Sequence, residues 1–207
     1  MGRGRIPIGR RERAKQDKRR RIMAAARELF VERGVSRVTT QQVADRAGVA
    51  IGTLYLYAST KAELLIMVQN EKFAAAIDDG LAAAQAASGK GVLEAVLALI
   101  RPVVACVREQ TENGRAYLRE LVFGDPHEPY RRAGLALAAR LEDGITRLLS
   151  RDGYVDAADA ATLARVITAI IHISTTATVY LHRSDDAVLT DIADQIQATL
   201  APRRPAG

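Results

Sequence analysis

Between Thr39 and Tyr57 the chain reads TTQQVADRAGVAIGTLYLY, and no other stretch constrains the fold as tightly. Val43, Ala44 and Ala47 recur at helical spacing, Gly48 interrupts them, and Leu54 resumes the pattern after Ala50. Thr39 or Thr40 can cap a helix of about two turns, and Gly48 permits the left-handed turn that ends it. A side chain as small as Ala44 lets a second helix cross closely. The pattern therefore predicts a helix-turn-helix, in which the second helix offers its N-terminal half to a major groove. A plain pair of core helices accounts for the Val and Ala pattern equally well. It leaves unexplained the residues turned away from the apolar seam: Gln41, Gln42, Thr53, Tyr55, Tyr57 and Lys61. Their amides, hydroxyls and ammonium suit base edges and phosphates.

The flanking sequence is helical throughout. Ile22, Ala25, Ala26, Leu29 and Phe30 give an amphipathic stripe from Lys18 to Glu32, closed by Gly34. A third helix follows Ala50 and runs through Tyr57, and Ser59 or Thr60 caps a fourth from Lys61. Beyond it the spacing predicts helices near 61–86, 92–111, 114–123, 128–151, 157–182 and 186–200. Chain-turning stretches such as Asn113-Gly114 and Asp152-Gly153 separate them. Pro102 falls inside one helix and predicts a kink or an early end. No strand-like alternation occurs, so the expected class is all-α. The expected division is a flexible basic arm over 1–17, a helix-turn-helix domain over 18–60 and a helical domain over 61–207.

Charge is segregated. The chain carries 30 Lys and Arg against 24 Asp and Glu, a net charge of +6. Ten of the basic residues and only two acids fall in the first 21 positions. A basic arm of this kind neutralises phosphates and releases counterions. Arg3 and Arg5 flank Gly4 and can lie along a narrow minor groove. A membrane surface fits less well, because Ile6 and Ile8 are the arm's only bulky apolar residues and form no face to insert. A merely solubilising tail is the bland alternative.

Other classes are disfavoured. The lone Cys106 supplies neither an internal disulfide nor a multi-cysteine zinc site, which suits the reducing cytoplasm. The N-terminus has no signal-peptide apolar stretch, and the uncharged run Val166–Leu181 is short for a bilayer span. No phosphate loop, nucleophile elbow or His-Glu-x-x-His motif occurs, and the three histidines, His127, His172 and His182, are scattered. No enzyme activity, metal or cofactor is expected.

The segments TTQQVADRAGVA (39–50), GTLYLY (52–57) and KAELL (61–65) resemble the DNA-binding signature of TetR-family transcriptional regulators. The resemblance covers about residues 18–66. It implies phosphate contacts from Thr40, Tyr55, Tyr57 and Lys61, and base-edge contacts from Gln41, Ile51, Gly52, Thr53 and Leu56. Tyr55 can alternatively pack against the first helix. The chain departs from the family at Ala58, where an aromatic usually closes the recognition helix; its loss is expected to loosen that joint unless Tyr57 or a neighbour fills the space.

Residues 157–200 form an apolar helical hairpin with hydrophobic surface to spare, which suits a four-helix interface between two copies. The resemblance implies the same homodimer, through the last two helices, on a pseudo-palindromic operator in double-stranded DNA. It also implies a small-molecule effector. Polar groups within apolar helices, chiefly Tyr117, Thr168, His172 and Thr175, are the candidate ligand contacts, although such groups are more often satisfied core or surface groups. The scarcity of aromatics suits a modest apolar ligand. The expected function is a ligand-released repressor, with a non-specific architectural DNA-binding protein as the alternative.

Overall fold

The computed structural model describes residues 9–87, 89–125 and 127–200. Arg3 and Arg5 lie outside them. The described residues are helical, without strands, and divide into two compact units, Met1–Val68 and Gln69–Gly207. Nine α-helices follow in order among them: α1 (Arg10–Arg33), α2 (Thr40–Ala47), α3 (Ile51–Tyr55), α4 (Lys61–Ala86), α5 (Val92–Arg108), α6 (Thr111–Phe123), α7 (Pro129–Ser150), α8 (Ala157–Thr176) and α9 (Asp185–Leu200).

In the first unit, the predicted stripe of α1 is the buried face: Ile22, Ala25, Ala26, Leu29 and Phe30 are all within the core. Val43, Ala44 and Leu54 meet it from α2 and α3, each fully buried. Burial of each large side chain contributes roughly 1.5–3 kcal/mol relative to exposure. Thr39 is the cap of α2. Its hydroxyl accepts the Gln42 N–H at 3.2 Å while the Gln42 side chain accepts the Thr39 N–H at 2.9 Å, a reciprocal capping box. Gly48 ends α2 in the left-handed region, φ 62° and ψ 43°.

Two boundaries in this unit depart from the sequence reading. The first helix begins at Arg10, not near Lys18, so the basic residues from Arg10 onward ride on a helix rather than in an arm. The third helix ends at Tyr55, two residues before Tyr57. Ala58, expected to leave the joint loose, is only 1 % exposed, and its N–H donates to the Leu54 carbonyl at 3.1 Å.

The second unit is built on close helix crossings. A Cβ at Gly80 of α4 or at Gly114 of α6 would collide with the α5 carbonyls of Leu99 and Val107 respectively, so each glycine lets two backbones approach. That contact explains why Asn113-Gly114, expected as a break, lies inside α6. Gln110 starts the helix by accepting the Asn113 N–H at 2.9 Å. Pro102 neither breaks nor shortens α5, which runs unbroken through it.

α8 stops at Thr176, short of the expected 182, and Thr178–Tyr180 form a single tight turn. The hydroxyls of Thr175 and Thr176 bond back to the carbonyls of Ile171 and His172, competing with the helix's own amides. α8 has the length and apolarity of a membrane-crossing helix, yet only 28 % of that window is buried within this chain. Val166 and Ile173, 40 % and 58 % exposed, lie on its open face.

Arg108, at the end of α5, holds the turn between α8 and α9. Its buried guanidinium donates to Asp185 Oδ1 at 2.6 Å, to the Arg183 carbonyl at 2.6 Å and to the Tyr180 carbonyl at 3.3 Å.

Candidate nucleic-acid interface

The helix-turn-helix is pinned from several sides. Arg21 of α1 donates through Nη1 to the carbonyls of Ala47 at 3.1 Å and Gly48 at 3.4 Å, clamping the turn from across the unit. Asp17 in turn holds Arg21 at 3.3 Å and Arg20 at 2.6 Å, and these guanidinium partners keep its carboxyl below the usual carboxylate range. The Tyr57 hydroxyl donates to the Lys15 carbonyl at 3.0 Å, tying the end of the recognition segment to the first turns of α1. Lys61 Nζ donates to the Ser36 carbonyl at 3.4 Å. The start of α4 is capped by Thr60, which accepts the Glu63 N–H, while Glu63 accepts the Ser59 N–H.

The unit brings the predicted contact residues together on the α2–α3 motif and the start of α4. Thr40 Oγ1 and the Tyr55 hydroxyl share a hydrogen bond at 3.2 Å, so the start of α2 and the end of α3 are locked in register. Gln41 donates to Asp45 Oδ1 at 2.7 Å along α2. Gln41, Gly52, Tyr55 and Leu56 are exposed, while Thr40, Ile51, Thr53, Tyr57 and Lys61 are half-buried. Tyr55 is 46 % exposed, so neither its packing nor its outward role excludes the other.

Two of these residues have no reason in the fold to be what they are. Leu56 is 84 % exposed. At Gly52 an added Cβ would meet nothing within 4 Å, and glycine inside a helix costs about 0.5–1 kcal/mol relative to alanine. The holds from Arg21 and Tyr57 are invisible to motif spacing. The i, i+3 and i, i+4 pairs of Asp17 with Arg20 and Arg21 are legible as local ion pairs.

Residues 22–68 match the family model of bacterial regulatory proteins, tetR family. Over those residues the chain carries the DNA-binding module of that family. It is 26 % identical over 193 residues to the HTH-type transcriptional repressor KstR of Rhodococcus jostii, covering 90 % of this chain and 82 % of that protein. Against KstR of Mycobacterium tuberculosis it is 38 % identical over 60 residues, 29 % of this chain and 27 % of that one. Among solved structures, the TetR-family repressor FadR of Thermus thermophilus in complex with lauroyl-CoA superposes with TM-score 0.66 at 18 % identity, over 91 % of this chain and 98 % of that one. FadR of Bacillus subtilis in complex with stearoyl-CoA gives 0.63 at 18 % identity, over 88 % and 97 %. At that identity the likeness establishes the helical fold. The chain is a DNA-binding transcriptional regulator.

In the second unit of the regulator, three of the four predicted effector contacts already have partners. Tyr117 is buried on α6, donates to Asn70 Oδ1 at 2.8 Å and meets Phe73 edge-on, with ring centroids 5.8 Å apart. Burial pushes its phenol far above the usual range. Thr168 donates to the Ala164 carbonyl and Thr175 to that of Ile171, while His172 is half-buried and pushed down by desolvation. None of the four lines either of two surface clefts. One, of about 490 Å³, lies between α4 and α5 and includes Lys72, Pro102 and Cys106. Burial raises the Cys106 thiol above its ordinary range. The other, of about 220 Å³, lies between α5 and α9. No cluster among the described residues suits a metal ion.

Proposed function

We propose that the chain is a cytoplasmic, homodimeric repressor whose first unit reads a pseudo-palindromic operator and whose second unit takes a small-molecule effector that releases it. The observation that carries the DNA reading is the pair Gly52 and Leu56. An unrequired glycine and an exposed leucine on the recognition segment are costs the fold does not demand, and both are useful against DNA. Gly52 lets the backbone come close to a base edge, and Leu56 can meet a thymine methyl, as can Ile51. Gln41 and Thr53 are the polar base-edge contacts. Thr40, Tyr55, Tyr57 and Lys61 hold phosphates and fix the module's register.

The open apolar face of α8, with Val166, Ala169 and Ile173, supports pairing of two copies through α8 and α9. Dimerisation sets the two recognition helices against half-sites about 34 Å apart, or a multiple of that. The effector reading draws on the FadR structures, described with lauroyl-CoA and stearoyl-CoA. An acyl thioester is accordingly the first ligand to test. Its binding would displace α4, which runs from Lys61 to Ala86, and change the separation of the half-site readers.

Selection of duplexes by the purified protein, followed by titration of the best site and of scrambled DNA, tests the reading. A pseudo-palindrome bound ~10³-fold above scrambled DNA supports it. Equal affinity for every duplex makes the chain an architectural DNA-binding protein instead. Release of the selected site by lauroyl-CoA, but not by free CoA, supports the effector class.

A further inference from the structure

The matched family module begins at Ile22, yet α1 starts twelve residues earlier, at Arg10. Those twelve residues carry eight Lys and Arg against Glu12 and Asp17. Within them Arg11, Lys15 and Lys18 stand at i, i+4 and i+7, and the same stripe continues as Ile22, Ala25, Ala26 and Leu29. At about 100° per residue these positions share one face. The face that builds the apolar core from Ile22 onward is therefore cationic before it.

That stripe is on the side of the recognition segment, because Tyr57 reaches the backbone of Lys15 itself. The side chains of Arg11, Lys15 and Lys18 are exposed and make no hydrogen bond or ion pair among the described residues. Asp17 engages Arg20 and Arg21 instead. Cations in the first turn of a helix also oppose its macrodipole, so Arg10 and Arg11 are unfavourably placed unless an anion faces them.

We infer that Arg11, Lys15 and Lys18 form a rigid phosphate-binding face on the N-terminal extension of α1, which lengthens the DNA footprint beyond the helix-turn-helix. The inference rests on the DNA-binding reading above and adds to it a second, sequence-independent surface. Tyr57 fixes this face relative to the recognition segment, so the cations meet the backbone in one orientation and need no ordering on binding.

The test compares two triple variants of the full chain. Arg11→Gln/Lys15→Gln/Lys18→Gln strips the inner face. Arg13→Gln/Arg20→Gln/Arg27→Gln removes the same charge from the opposite face of the same helix. Binding to a long mixed-sequence duplex is titrated against salt, with far-ultraviolet circular dichroism to confirm that both variants remain helical. The inner-face variant is expected to lower the log–log salt slope by about two to three, and the outer-face variant by under about one. Equal loss from both faces reduces the effect to net charge and overturns the inference. An unchanged inner-face slope with tight wild-type binding also overturns it, while leaving the helix-turn-helix reading intact. Failure of the wild type to bind any duplex removes both. Loss of binding to phosphatidylserine vesicles by the inner-face variant, with its duplex slope unchanged, would reassign the face to membranes.

Discussion

The phenol of Tyr117 donates to Asn70 Oδ1 at 2.8 Å, and Asn70 Nδ2 donates in turn to the Tyr130 carbonyl at 2.8 Å, linking α4, α6 and α7 through one half-buried amide. Gly134 closes the site. A Cβ there would stand 2.5 Å from Leu121 Cδ2 and 2.7 Å from Asn70 Oδ1. Gly134→Ala must push the amide or Leu121 aside, and overpacking of this kind costs about 1–3 kcal/mol. Chemical denaturation should show that loss. A variant as stable as the wild type would mean that α7 shifts freely and that the amide is not a fixed junction.

Arg108 offers a second test of the same unit. Its side chain is 4 % exposed and carries three bonds to the α8–α9 turn, one of them to the half-exposed Asp185. Arg108→Met keeps the packing stem but orphans two carbonyls and frees the carboxylate. Breaking a buried pair costs about 3–5 kcal/mol, and solvent around Asp185 places the expected loss at or below the lower end of that range. Arg108→Lys should recover little, because an ammonium cannot reproduce the fork. Full rescue by lysine in denaturant titrations would show that charge alone, not the guanidinium geometry, holds the turn.

Much of this is legible in the sequence for a simple reason. Helices announce themselves by period, and Val43, Ala44, Ala47 and Leu54 leave one arrangement for the turn at Gly48. The helix-turn-helix and the run of helices beyond it follow from local pattern. What pattern does not carry is partner choice across the chain. Nothing local says that Arg21 serves the carbonyls of Ala47 and Gly48, that Arg108 reaches Asp185, or that Tyr117 is spent on Asn70. The misplaced start of α1 has the same root: a stretch so rich in Arg and Lys reads as solvated coil, although both are good helix formers. Likewise Asn113-Gly114 reads as a turn because the carbonyl of Val107, which requires the glycine, is invisible from the sequence.

His172 makes stability depend on pH. Desolvation depresses its imidazole below the ordinary value of 6.5, so the folded chain binds the proton less readily than the unfolded one. Unfolded chains then hold more protons, and stability rises with pH through this window. The contribution is complete above about pH 6.5 and is lost as pH falls from there through the folded-state value. Denaturation midpoints measured between about pH 7 and 5 should decline, and His172→Gln should flatten that decline. An identical slope in the variant would assign the pH dependence to other groups.

Cys106 provides a chemical readout of the groove between α4 and α5. Its thiol is half-buried, and burial raises its pKa above the ordinary value, against a smaller opposing pull from the Lys72 ammonium. The thiolate is the reactive form, so labelling by a disulfide reagent near neutral pH should be slower in the native chain than in denaturant. Lys72 also pairs with Glu109, and removing its charge in Lys72→Met should slow native labelling further. Native labelling as fast as that of the unfolded chain would mean that the thiol is not held between the helices as described.

The Thr40–Tyr55 hydrogen bond separates two roles of the recognition segment. Tyr55→Phe removes the hydroxyl that Thr40 meets at 3.2 Å but keeps the ring. If that hydroxyl holds a phosphate, its removal should weaken specific and scrambled duplexes alike, by about 1 kcal/mol or roughly fivefold, since a hydrogen bond to a charged group is worth about 1.5–3 kcal/mol and the bond to Thr40 given up on binding offsets part of it. Lys61→Ala should act in the same direction and lower the salt slope by about one. Gln41→Ala should instead cost affinity only on the selected site, because an amide paired with a base edge carries sequence information and a phosphate contact does not. If Tyr55→Phe reduced specific binding while scrambled binding stayed constant, its hydroxyl would be positioning the base-reading residues and the phosphate role assigned to it would be wrong.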